Sequence, residues 1–120
     1  MDIYNLVRKQ HQHFGLSYAG KPRHLDNKEK NFYIEALHEE IEEYNSAIDL
    51  EEEYDSLLDM LVFTLGAMQR HGFHIEGLEK VIEANMKKEL GPIENKRNDF
   101  ELDLRKPEGW EHPDLKEFLI

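Results

Sequence analysis

The chain has 120 residues, with 26 acidic against 15 basic side chains and a formal net charge of −11, so phosphate backbones and anionic membrane surfaces are repelled and neither nucleic acid nor membrane is expected as a partner. It contains no cysteine, which excludes disulfides, thiolate zinc sites and cysteine nucleophiles. The length suits a single domain over 1–120, and without an apolar signal core in "MDIYNLVRKQ" or a run of the roughly 18 apolar residues a membrane span needs, a soluble cytoplasmic protein is expected.

The chain opens with "DIYNLVRKQHQHFG", where Ile3, Leu6, Val7 and Gln10 recur at helical spacing, Asp2 can cap the N-terminus and Gly15 can end the helix. "GLSYAGKPRHLD" holds two glycines and a proline and reads as a loop leading to a cap at Asp26 or Asn27. From 27 to 49, Ile34, Leu37, Ile41, Tyr44 and Ile48 alternate steps of three and four, the stripe of a helix packed against other helices. A third helix is predicted over 50–71, capped by Asp49, with Tyr54, Leu57 or Leu58, Leu61, Leu65 and Met68 on its stripe and Gly72 as its stop. "HIEGLEKVIEANMKKEL" supplies Ile75, Leu78, Val81 or Ile82 and Met86 for a fourth, closed by Gly91 and Pro92. The expected architecture is all-α: an antiparallel bundle of four main helices over about 2–90, with an ordered tail over 91–120. The tail shows alternation over "FELDL" and a short terminal helix, and it should lie on the bundle because Phe100, Trp110 and Phe118 are costly to leave in water.

Asp59 stands in the most apolar stretch, "YDSLLDMLVFTLGAM", and a carboxylate buried alone costs more than a domain's net stability. It therefore needs company. On the second helix "HEEIEEY" sets Glu39, Glu40 and Glu43 within one arc, with Glu42 pointing away; on the third, Asp55 and Asp59 are four residues apart and share a face with Glu52, Val62 and Gly66. Consecutive helices joined by a short turn near Asp49 form a hairpin in which these faces can meet. Four or five converging carboxylates raise each other's pKa unless a cation sits among them, and Mg²⁺, with Mn²⁺ as a substitute, is the hard ion such oxygens prefer. The histidines at 11, 13, 71 and 74 read as loop or helix-end surface rather than ligands. Glu35 and His38 have the E-x-x-H spacing of a ferritin-like di-iron bundle, but no second such pair occurs.

At these acids the chain resembles the MazG-like all-α nucleotide pyrophosphohydrolases, a superfamily that includes dimeric dUTPases and phosphoribosyl-ATP pyrophosphohydrolase. The shared E-E-x-x-E motif stands intact as Glu39, Glu40 and Glu43. The second motif is usually E-x-x-D; Asp59 fits its final position, but Ser56 occupies the first. Asp55, in "DSLLD", resembles instead the D-x-x-x-D variant of the phage and bacterial phosphoribosyl-ATP-pyrophosphohydrolase-like branch. "HQHFG", "FTLGAMQRHGF", "VIEANMKKELGP" and "KPEGWEHPDL" follow the pattern of that branch in order, so the likeness spans nearly the whole chain.

The resemblance implies hydrolysis of a nucleoside triphosphate between its α and β phosphates, with Glu40, Glu43, Asp59 and Asp55 as metal ligands, Glu39 as general base, and Asn85 and Lys88 approaching the phosphates. A phosphoribosyl-ATP or dUTP substrate is the alternative within the class. A helical interaction module whose acids serve only solubility is the alternative outside it. Helices carrying apolar stripes offer more hydrophobic face than one small bundle conceals, so a homodimer or homotetramer is expected, in which a neighbour could lend groups to each site.

Overall fold

A computed structural model describes residues 1–93 and 101–120. Its elements are α1 (Ile3–His13), α2 (Asn27–Ser46), α3 (Leu50–His71), α4 (Gly77–Asn85), a two-stranded sheet of β1 (Glu89–Leu90) and β2 (Leu104–Arg105), and a 3₁₀ turn over Lys116–Leu119. The fold is all-α apart from that small sheet, and the chain divides into two compact units, Met1–His74 and Ile75–Ile120. No helix among the described residues is long and apolar enough to cross a membrane.

In the first unit the helix ends are where short-range chemistry sets them. Asp2, Asp26 and Asp49 each accept a hydrogen bond from the backbone N–H three residues on, satisfying a donor that the first helical turn leaves unpaired. At Asp49 the cap is reciprocated: Glu52 accepts from the Ile48 N–H at 2.7 Å. Gly72 ends α3 in the left-handed conformation, with φ at 77°, and a Cβ there would lie 2.9 Å from the Lys21 carbonyl oxygen, so both backbone shape and space require glycine. The loop after α1 is tied to this helix end: Arg70 donates to the Leu16 carbonyl and pairs with Glu29, while Arg23 and His71 exchange bonds through their backbones and the imidazole.

The α2–α3 hairpin is the spine of the unit, and α1 packs on α3. The faces that make these contacts are not the most apolar ones. Buried positions are Tyr4, Val7 and His11 on α1, Tyr33, Ala36 and Glu40 on α2, and Ser56, Leu65, Gly66 and Gln69 on α3. Gly66 lets His11 approach: a Cβ there would meet the imidazole Nε2 at 3.1 Å and the Tyr33 ring at 3.8 Å. The expected α1 stripe is therefore one position off, since Leu6 is exposed and Tyr4 buried. On α2, Ile34, Ile41 and Tyr44 are exposed rather than packed, as is Ile48, at 86 %, which the sequence placed on this helix but which lies in the turn beyond its end at Ser46; Tyr54, Leu57, Leu58 and Leu61 on α3 are exposed too. His11 is likewise not surface; burial and the Arg70 and Arg8 charges hold its pKa below the usual histidine value.

In the second unit α4 is shorter than predicted. The residues Glu89 and Leu90 leave the helix to pair antiparallel with Arg105 and Leu104, and the Gly91 N–H donates to Asp103. This partner lies some fifteen residues downstream, out of reach of any local periodicity. Trp110 packs by α4, its indole N–H donating to the Ala84 carbonyl at 2.7 Å, and Leu115 and Phe118 lie against Gly77. Phe100 and the start of the "FELDL" alternation lie outside the described residues.

Candidate active site

One carboxylate oxygen from each of Glu40, Glu43 and Asp59 lies within 4.8 Å of the others, the one such group of metal-ligating side chains among the described residues. Helix geometry produces this. Glu40 and Glu43 are three apart on α2 and share a face, and the hairpin sets that face against α3 at Asp59. The small side chains at Ala36 and Gly66, one buried on each helix, lower the bulk between the two axes.

The electrostatics of Glu40 and Asp59 are unlike those of a solvated acidic face. Glu40 is 8 % exposed, and its Oε2 is buried without a hydrogen-bond partner. Burial is the main force pushing its pKa up to about 7, followed by the Asp59 charge and by Glu43, whose charge and hydrogen-bonding carboxyl favour a proton kept between the two; Asp55 adds a smaller push. Asp59 is raised for the same reasons, burial first and then Asp55 and Glu43. A buried acceptor with nothing to accept from is costly unless a proton or cation supplies the missing charge. The donor set is all oxygen, which suits a hard divalent cation. The residues fit the ion.

The remaining sequence candidates occupy other places. Asp55 stands outside the three but close enough for its charge to reach both Glu40 and Asp59. It borders, with Glu43, Glu52 and the buried Ser56, a cleft of about 350 Å³ at the turn between the helices. Glu39 is exposed and borders the open surface beside Glu43 on the other side, with Glu42 and Asn45. Asn85 ends α4 and Lys88 follows it, its ammonium 4.9 Å from the centre of the Trp110 ring; both belong to the second unit. Glu52, placed by the sequence on the face of Asp55 and Asp59, does line the acidic cleft; its second part, accepting from the Ile48 N–H at the start of α3, escaped sequence reasoning, although its place three residues after Asp49 was the signal for it. The approach of Lys88 to Trp110 had no such signal, because the two are far apart in sequence.

Residues 7–86 match the sequence model of a family described as phosphoribosyl-ATP pyrophosphohydrolase. The match takes in all of α2 and α3, and so every acid of the cluster, and ends just after Asn85. No curated protein matches the chain.

Proposed function

The chain belongs to the phosphoribosyl-ATP pyrophosphohydrolase family, hydrolases of acid anhydrides in nucleotides, and on that premise we propose that it cleaves a nucleoside triphosphate between the α and β phosphates, giving a monophosphate and pyrophosphate. The observation that carries this reading is the convergence of Glu40, Glu43 and Asp59 around a buried oxygen that has no partner.

In this reading Glu40, Glu43 and Asp59, supported by Asp55, hold Mg²⁺, for which Mn²⁺ can substitute. Bound there, the ion would neutralise phosphate charge and make a water more acidic. The protein's own work is to hold four carboxylates close together against their mutual repulsion, so that charge becomes favourable only when cation and polyphosphate arrive together. Glu39, outside the cluster and open to solvent, accepts the proton of the attacking water; the α–β bridging oxygen leaves with pyrophosphate. Asn85 and Lys88 contribute adaptable hydrogen bonds and a point charge to the phosphates. Asp59→Asn keeps the shape of the side chain and removes its charge. A D59N protein that hydrolysed deoxynucleoside triphosphates at the parental rate would refute the assignment.

A second reading is favoured by the family match itself: phosphoribosyl-ATP as the substrate. A panel of canonical and modified triphosphates alongside phosphoribosyl-ATP, with Mg²⁺ and product chromatography, separates the two. No turnover of any of them would leave the interaction-module alternative.

The outward stripes of α2 and α3 lead to the same proposal for assembly. Eight large apolar side chains, Ile34, Ile41, Tyr44, Ile48, Tyr54, Leu57, Leu58 and Leu61, stand exposed on the two helices and the turn that joins them. A homodimer or homotetramer would cover them, whereas a light-scattering mass equal to the 14.3 kDa chain would exclude it.

A further inference from the structure

The second unit holds a cluster that the acidic site does not explain. Trp110 comes from the tail, yet it is fixed on α4: its indole N–H donates to the Ala84 carbonyl at 2.7 Å and its backbone N–H to Pro107 at 3.1 Å. Ala84 lies in the last turn of α4, and its carbonyl also accepts from the Lys87 N–H at 3.2 Å, so the indole bond adds a second tie to the turn that carries Lys87 and Lys88. Two ammonium groups then gather on the same ring, Lys88 at 4.9 Å and Lys106, from the residue after β2, at 5.1 Å from its centre.

The partner of these lysines is unusual for a chain with 26 acids. Among the described residues neither has a carboxylate within ion-pair distance, while Arg70 and Arg105 do. An aromatic face steadies a cation without neutralising its charge, and each ammonium has three N–H donors, so both groups keep donors for an incoming anion. The neighbouring cleft of about 400 Å³ is walled by Glu83, Glu108 and Glu111 as well as Lys80 and Lys87, and its mixed charge does not favour an anion. Neither Lys88 nor Lys106 is among its walls.

We infer that Lys88 and Lys106, steadied by Trp110 as a positioning residue, form a subsite for a pyrophosphate group. The inference rests on the pyrophosphohydrolase reading for its ligand, a pyrophosphate group. Lys106 and Trp110 thereby join the phosphate-handling residues.

The test measures inorganic tripolyphosphate binding by calorimetry without nucleotide, and then KM for nucleoside triphosphate and inhibition by pyrophosphate. Lys106→Gln should weaken tripolyphosphate binding about three- to tenfold, with the salt dependence of binding reduced, while Lys116→Gln, the same loss of charge in the 3₁₀ turn, leaves it unchanged. Trp110→Phe, which keeps a π face, should retain most of the binding that Trp110→Leu loses at equal melting temperature. A rise in KM alone assigns the subsite to substrate, and a rise in the pyrophosphate inhibition constant alone assigns it to product. Tripolyphosphate affinity equal to wild type in both K88Q and K106Q overturns the subsite. Failure of the wild type to hydrolyse any nucleotide refutes the proposed function instead, and leaves the calorimetric result standing on its own.

Discussion

The inward and outward faces of the α2–α3 hairpin reverse the usual division of a helix. Inward lie Ala36, Gly66 and Ser56 with the carboxylates of Glu40 and Asp59; outward lie isoleucines, leucines and tyrosines in contact with water. A helix pair built for its own stability would turn these faces round, because burying a leucine or isoleucine is worth about 1.5–3 kcal/mol and burying a like-charged acid costs stability. The arrangement gives up packing energy within the chain to keep three acids together. It leaves the apolar faces for another surface to cover.

The strongest way to break this comparison is at the acids. Asp59→Asn should lower kcat/KM by at least about 100-fold while leaving the far-ultraviolet circular dichroism unchanged, since the site loses a charge and the helix loses none of its packing. On the opposite face, Leu57→Lys with Leu61→Lys should leave a folded chain that sediments and scatters as a 14.3 kDa monomer, because these side chains are exposed in the single chain. An assembly that survived both charges would place the interface elsewhere.

A stability measurement sharpens the contrast. Gly66→Val inserts a branched side chain where a Cβ alone would meet His11 at 3.1 Å, and should cost about 2–3 kcal/mol in urea unfolding of the isolated chain. Leu61→Ala, larger in volume change but exposed, should cost the isolated chain less than about 1 kcal/mol.

How these faces read in the sequence follows from what periodicity measures. Asp2, Asp26, Asp49 and Gly72 were legible because caps are decided within four residues. The acidic convergence was legible as well, since a three-residue spacing on one helix and a short hairpin turn leave few places for Asp59 to go. The stripes were legible as stripes, but not as to what covers them: Ile41 or Leu61 has the same spacing whether its partner is in the chain or in another molecule. Residues such as Tyr33, Gln69 and His11, buried through Gly66 and through bonds such as that from Gln69 to the Tyr4 carbonyl, carry too weak an apolar signal to compete with neighbouring leucines and isoleucines. The strand at Glu89–Leu90 and the Trp110 anchor depend on residues 104 to 110, which no local window includes.

The smallest expected effect is a pH dependence in which the raised acids, Glu40 foremost with Asp59 on the same side, oppose the buried His11. Glu40 titrates near 7 in the fold against an ordinary 4.5, so the metal-free protein holds its protonated form more readily than the unfolded chain does. That contribution is complete below 4.5 and is lost as pH rises through about 7. His11 runs the other way: its folded pKa is below 6.5, so its contribution is complete above 6.5 and is lost as pH falls through the folded value. Between 4.5 and 6.5 the two slopes therefore partly cancel. Urea unfolding in a chelator should show a shallow profile for the wild type. Glu40→Gln should unmask a rise with pH, and His11→Asn a fall that Mg²⁺ removes at pH 8, where the cation replaces the proton. A fall unchanged by Glu40→Gln would mean that the inward acids do not share one buried environment, and with it the contrast between the two faces would lose its physical basis.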